Sequence, residues 1–263
     1  MAKVFIVTGA SKGIGVAVTR HLLQQSHKVV LAARSREPLE AIKRLHPGQV
    51  EYLAGDMTSS CMAADLASLA VKSFGRLDGI VLSHGLLDPC KIDASSLDGW
   101  KHVYDPLGHG TAPPRSPRRG PLTLTAAQAK AGIAELRKSK GCVVWVSSGA
   151  ANKPYTAWAT YGSSKAAVNS ISTHLAVEEP DITSVTIVPG RVDTDMQSVL
   201  RASGKDVMDK AQYDSFVDAF QQGRLLKPEQ PGHVIAKFVA QPRKDLSGNC
   251  LNWNSAELAE YQG

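Results

Sequence analysis

Cysteine is scarce in this 263-residue chain, and the four present, Cys61, Cys90, Cys142 and Cys250, are widely scattered. Their spacing suits no metal site and no disulfide framework, which leaves them as small packing residues. Aromatic residues make up only 6% of the chain, and its net charge of +6 is spread along the sequence with few aromatics between the positives. That pattern speaks against a nucleic-acid surface; attraction for a phosphorylated ligand is the milder consequence. No apolar run approaches the length of a membrane span, and the apolar start Val4-Phe-Ile-Val7 is far shorter than the core of a secretion signal. A cytoplasmic protein that avoids membranes is therefore expected. Repeats and linkers are missing too, so residues 1–263, 43% hydrophobic and 21% charged, are expected to form one α/β domain.

What the chain does carry is organised around Ser147-Ser148-Gly149 and Tyr161-Gly-Ser-Ser-Lys165. The run Gly141-Cys-Val-Val-Trp-Val-Ser147 is apolar and β-branched, as a strand buried on both faces of a parallel sheet would be. Ser148 then sits at its carboxyl end, where open α/β sheets bind ligands. From Ala157 to about Val177 the spacing is helical, so Tyr161 and Lys165, four apart, leave the same face. These positions suit carbonyl reduction, in which the oxygen must be given a proton as hydride reaches carbon. A free phenol has a pKa of about 10, and a neighbouring ammonium is expected to bring that of Tyr161 down. Ser148 can hold the substrate oxygen. A tyrosine and lysine at this spacing alone read more readily as a surface pair with a snorkelling lysine; the serine thirteen residues upstream and the amino terminus reverse that reading.

At that amino terminus, Val4-Phe-Ile-Val-Thr8 reads as a buried strand running into Gly9-Ala-Ser-Lys-Gly13-Ile-Gly15 and then a helix to about Gln25. Gly9 permits the turn, Gly13 lets backbone approach a pyrophosphate at the helix start, and Gly15 lets helix and strand lie close. The second strand, Lys28-Val-Val-Leu-Ala-Ala33, lacks the acidic residue that would bind the ribose hydroxyls of NAD. Arg34-Ser35-Arg36 follows instead, and a guanidinium is shaped for a 2′-phosphate, although either arginine could simply begin a solvated helix.

Taken together, these stretches resemble the short-chain dehydrogenases/reductases over nearly the whole length, through Thr8 to Gly15, Gly55-Asp56, Ser148, Tyr161, Lys165 and Pro189-Gly190. The likeness leans toward the small fungal carbonyl reductases related to benzil reductase and sepiapterin reductase. It implies a doubly wound sheet of about seven parallel strands, NADP(H) as cofactor, and Ser148, Tyr161 and Lys165 as catalytic residues, with Lys165 also anchoring the nicotinamide ribose. Cofactor contacts are implied at Gly9, Ser11, Lys12, Gly13, Ile14, Gly15 and Arg34. Lys12 stands where NADP-preferring members carry a cation. Asp56, after the strand Val50-Glu-Tyr-Leu-Ala54, corresponds to an adenine-contacting aspartate, or it caps the helix of residues 59–74. Pro189, Gly190, Val192 and Thr194, after the strand of residues 182–188, correspond to the segment for the nicotinamide carboxamide.

Two departures stand out. After Asp78-Gly-Ile-Val-Leu82 comes Ser83-His84-Gly85 in place of the family's Asn-Ala-Gly, keeping Gly85 against the cofactor while Ser83 offers less hydrogen bonding than an amide; His84 reads as structural. Residues 106–121 hold five prolines and three glycines and read as a basic irregular loop. No asparagine precedes Asn152, so the asparagine that the family places in its proton relay is missing. A genuine insertion, a partner-binding loop and translated non-coding sequence are the three accounts, the intact flanks favouring the last. Helical pattern resumes near Thr123. Residues 195–226 occupy the place of a substrate lid, in which Met196, Val199, Leu200 and Phe216 line a pocket or face the core. A last helix is expected after Pro228 and a closing strand over 247–253. The expectation is an NADPH-dependent reductase of small ketones or diketones; the same residues could oxidise alcohols, or the chain could be a silent NADP-binding scaffold. The resemblance leaves a homo-oligomer, dimer or tetramer, open.

Overall fold

The computed structural model describes residues 1–55, 61–96, 100 and 121–263, with the backbone alone for 121–124. Its strands form one parallel sheet in the order β3-β2-β1-β4-β5-β6-β7. They are β1 (Val4–Thr8), β2 (Lys28–Ala33), β3 (Val50–Ala54), β4 (Gly79–Leu82), β5 (Cys142–Val146), β6 (Thr183–Val188) and β7 (Cys250–Asn252). In β1, β5 and β6 every residue is buried, because helices cover both faces. The strand order reverses between β1 and β4, whose register pairs Phe5 with Gly79 and Thr8 with Leu82.

The helices are α1 (Gly13–Gln24), α2 (Arg36–Leu45), α3 (Met62–Phe74), α4 (Pro121–Ser139), α5 (Ala159–Glu178), α6 (Asp195–Ser203), α7 (Lys210–Gln221) and α8 (Glu229–Ala240). Alternation along the strands divides the core in two. Phe5 and Val7 pack with Leu22, Val234 and Phe238 on one face, while Val4 and Ile6 pack with Leu66, Leu136 and Trp145 on the other. A third cluster, with Leu87, Trp158, Tyr161, Leu200 and Phe216, caps the carboxyl edge of the sheet.

The expected bounds hold closely for the first strands and shrink at the end, where β7 spans only Cys250–Asn252. Pro121, placed in the irregular stretch by composition, instead opens α4; its fixed φ and missing N–H suit a first helical turn. The rest of that stretch, 106–120, lies outside the described residues.

Candidate active site

The sheet gathers the candidate residues at one edge. Gly9 to Gly15 follow β1, Arg34 follows β2, Ser83 to Gly85 follow β4, Ser148 follows β5, and Pro189 to Thr194 follow β6. Carboxyl strand ends at a reversal of strand order are where open parallel sheets leave a crevice for ligands.

Helix α5 carries Tyr161 and Lys165 to Ser148. A Cβ on Gly162 would stand 2.8 Å from the Ala150 carbonyl oxygen, so a larger residue there would push α5 away from the turn that follows Ser148. Deeper in, Trp145 Nε1 of β5 donates to Ser184 Oγ of β6 at 2.9 Å, and Ser184 Oγ lies 2.9 Å from Ser172 Oγ of α5. A satisfied buried network of this kind holds helix and strands in one register.

Tyr161 and Lys165 are 7% and 8% exposed. Burial pushes the Tyr161 phenol above its ordinary pKa, and the Ser148 hydroxyl pulls the other way. Burial also draws the Lys165 ammonium down from 10.5 to about 8. Lys165 Nζ donates to the Val146 carbonyl at 2.8 Å and stands 5.9 Å from the centroid of the Tyr161 ring. The expectation that Lys165 lowers the phenol's pKa is thus corrected for this structure: loss of water disfavours the phenolate, and the ammonium's near partner is a backbone carbonyl. At neutral pH, Tyr161 keeps its proton and Lys165 its charge.

The crevice beside the pair is lined by Leu82, His84, Gly85, Thr125 and Val168. A Cβ on Gly85 would lie 3.4 Å from Lys165 Nζ. His84 Nδ1 is 2.8 Å from Thr8 Oγ1, which also accepts from the Ser83 amide at 3.1 Å. His84 thereby helps to tie the ends of β1 and β4 together, as its structural reading implies, and it also borders the crevice.

On the other side of the switch point the glycine loop is tightly wound. A Cβ on Gly15 would fall 2.3 Å from the Gly9 carbonyl oxygen, so only glycine lets α1 start this close to β1. Lys12 precedes α1, and Ser11 and Ile14 flank the same turn. Lys12 Nζ is paired with Asp195 Oδ2 of α6 at 2.5 Å. Arg34 is exposed just past β2, whereas Arg36 opens α2 and donates from Nε to the Tyr52 hydroxyl at 3.4 Å. A cradle closed to any Cβ, a helix start and a cation past β2 fit a phosphorylated dinucleotide.

Comparison with known proteins agrees with this geometry. The family described as short chain dehydrogenase matches residues 3–205. The chain belongs to that family. An oxidoreductase of Schizosaccharomyces pombe is 35% identical over 96% of this chain and 97% of its own length. A benzil reductase ((S)-benzoin forming) of Saccharomyces cerevisiae is 31% identical over the full length of both. The crystal structure of a short chain dehydrogenase/reductase from Saccharomyces cerevisiae superposes with a TM-score of 0.91 at 31% identity, covering both chains entirely. The protein is an oxidoreductase.

In this short-chain dehydrogenase Val192 is buried and bridges to Leu226, and the Asp193 amide donates to the Leu226 carbonyl at 2.8 Å. These contacts tie the segment after Pro189 and Gly190 to Leu226, at the end of the stretch 195–226. Thr194 precedes α6, its methyl 3.1 Å from where a Cβ on Gly13 would be. Leu200 and Phe216 prove to be core residues, Met196 packs against them, and Val199 is exposed. Asp56 lies outside the described residues. Sequence reasoning passed over Trp158, whose indole meets the Tyr161 ring edge to face at 5.7 Å; an aromatic residue three before the tyrosine at a helix start was the available signal. It also passed over Arg191, whose guanidinium covers Phe216 at 4.1 Å. No helix among the described residues is long and apolar enough to cross a membrane.

Proposed function

We propose that this oxidoreductase reduces a small ketone or diketone to the alcohol with NADPH. The observation that carries the reading is a buried tyrosine that keeps its proton, within hydrogen-bond reach of the Ser148 hydroxyl and lining one crevice together with a charged lysine. The cofactor supplies hydride. Ser148 holds the carbonyl oxygen, and Tyr161 gives its phenolic proton to that oxygen as negative charge develops there. Lys165, still protonated below a pKa of about 8, holds the nicotinamide ribose.

Arg34 supports NADP(H) over NAD(H), since it stands exposed where an acidic residue would otherwise meet the ribose. Lys12 is the second cation, and a 2′-phosphate would compete with Asp195 for it. Gly9, Ser11, Gly13, Ile14 and Gly15 would hold the pyrophosphate, Ser83 and Gly85 the ribose side, and Pro189, Gly190, Val192 and Thr194 the carboxamide. The benzil reductase relative supports a ketone or diketone as substrate.

The test is a panel of ketones and diketones assayed with NADPH and with NADH. NADPH should be preferred, and Arg34→Asp with Lys12→Ala should move the kcat/KM ratio toward NADH, each charge-assisted contact being worth roughly tenfold. An unmoved ratio would refute the cofactor assignment. Tight NADPH binding without turnover across the panel would mark a silent binding protein instead, a reading favoured by the lack of asparagine before Asn152.

A further inference from the structure

Thr194, Asp195 and Met196, where α6 begins, rest on successive parts of the site. The Thr194 methyl meets the glycine loop, 3.1 Å from where a Cβ on Gly13 would be. Asp195 Oδ2 pairs with Lys12 Nζ at 2.5 Å. Met196 Cε lies 3.9 Å from the position of a Cβ on Gly85, which is itself 3.4 Å from Lys165 Nζ. The glycine loop follows β1 and α6 follows β6, and in the sheet those strands are separated by β4 and β5. At strand level the gap is about 14 Å. The first turn of α6 therefore arches over the carboxyl ends of β4 and β5 and covers the way from the glycine loop to Lys165. A dinucleotide bound along that way has to pass this turn.

The far end of α6 is anchored, since Leu200 is fully buried in the cluster that holds Tyr161 and Phe216. The near end depends on the ion pair, whose side chains are 63% and 69% exposed. A pair so open to water is weak, and a phosphate offers Lys12 more charge than one carboxylate does. We infer that the Lys12–Asp195 pair is a latch that the 2′-phosphate of the cofactor opens. NADP(H) draws Lys12 off Asp195 and frees the first turn of α6 from the crevice beside Tyr161 and Lys165. NAD(H), which lacks that phosphate, leaves the turn fastened. Cofactor identity and access to the crevice are thereby coupled through one side chain, because the ligand has different affinities for the two states. The latch rests on the cofactor assignment made above.

Hydrogen exchange at the Gln197 and Ser198 amides, which donate to the Thr194 carbonyl at 2.9 and 3.3 Å, reads that first turn directly. With the full chain saturated by NADP⁺, exchange there should run up to about fivefold faster than with NAD⁺, the most that an exposed ion pair holds back. Lys12→Ala keeps Asp195 at the helix start and should abolish the difference between the two cofactors. Asp195→Asn should bind NADP⁺ up to about fivefold tighter than the parent, with NAD⁺ affinity unchanged, and adding Lys12→Ala should cancel that gain. A gain that NAD⁺ shares, or that persists without Lys12, would mean that Asp195 merely repels phosphate, and the latch would be overturned. Equal exchange with both cofactors in the parent, which needs no variant to fold, would overturn it as well. A parent that prefers NADP⁺ without the exchange difference loses the latch alone; a parent that binds both cofactors equally, whether or not Arg34 is replaced by aspartate, loses the cofactor assignment and the latch with it.

Discussion

Replacing Lys165 with methionine should make the protein more stable while removing its activity. Lys165 is 8% exposed, and its ammonium has been drawn down from 10.5 to about 8 by burial. At about 1.4 kcal/mol per tenfold change in proton affinity, that depression represents roughly 3 kcal/mol of folding free energy lost to holding the charge inside. Methionine fills much of the lysine stem without a charge, but it leaves the Val146 carbonyl without its 2.8 Å donor, which returns about 1 to 2 kcal/mol of the gain. The net expectation is a stabilisation of about 1 to 2 kcal/mol at pH 7, or a rise in Tm of roughly 3 to 6 °C for a chain of this size. The pH dependence follows from the direction of the shift. Below pH 8 both folded and unfolded chains carry the proton, so the penalty in the parent is fully present; it fades between pH 8 and 10.5 and is gone above. The advantage of Lys165→Met should therefore narrow as pH rises through that window. Thermal unfolding followed by circular dichroism at pH 7 and pH 10 measures both effects. A variant less stable than its parent at pH 7, with a gap that pH leaves unchanged, would refute the account of Lys165 as a charge held inside at a cost to folding.

Tyr161→Phe keeps the ring against Trp158 and removes the proton, so reductase activity should fall by about 10²- to 10⁴-fold while NADPH affinity, read by fluorescence titration, changes little; near-parental turnover would remove Tyr161 as the donor. Gly15→Ala drives a Cβ to 2.3 Å from the Gly9 carbonyl and should destabilise the fold by about 1 to 3 kcal/mol and weaken NADPH binding, against the small gain that alanine brings to an ordinary helix position; an urea midpoint at or above the parent's would contradict it. His21 and His27 both titrate below their ordinary pKa, burial being the largest cause, with His233 and Lys237 beside His21 and Lys3 beside His27. Both are therefore neutral in the fold, and His27 Nδ1 accepts from the Lys3 amide at 3.2 Å. The unfolded chain binds their protons first, so stability should fall as pH drops below about 6.5. His21→Gln should flatten the dependence of the urea midpoint on pH between 7.5 and 5.5, and a slope equal to the parent's would count against it.

The strands β1 and β2 were legible residue for residue because a strand buried on both faces is a short apolar run bounded by turn-forming or polar residues, a pattern that local sequence holds complete; β3 at the sheet edge was read to the same bounds although only Val50 in it is buried. The same is true of the shared face of Tyr161 and Lys165, which a helical repeat dictates, and of the glycine loop between β1 and α1. The edge strand β7 was overextended, since only Leu251 in it is buried and Ser247, Gly248 and Asn249 before it carry no apolar mark to show where pairing begins. Tertiary structure alone decided the electrostatics of the site. The phenol of Tyr161 rises because the chain closes over it, and the ammonium of Lys165 turns to Val146, nineteen residues away on another element. Lys12 meets Asp195 across 183 residues of sequence, and Trp158 stacks on Phe216 from α7. Periodicity records which face of an element is buried; which groups meet across that burial, and how much water they lose, depends on how distant elements cross, and no local pattern contains that information.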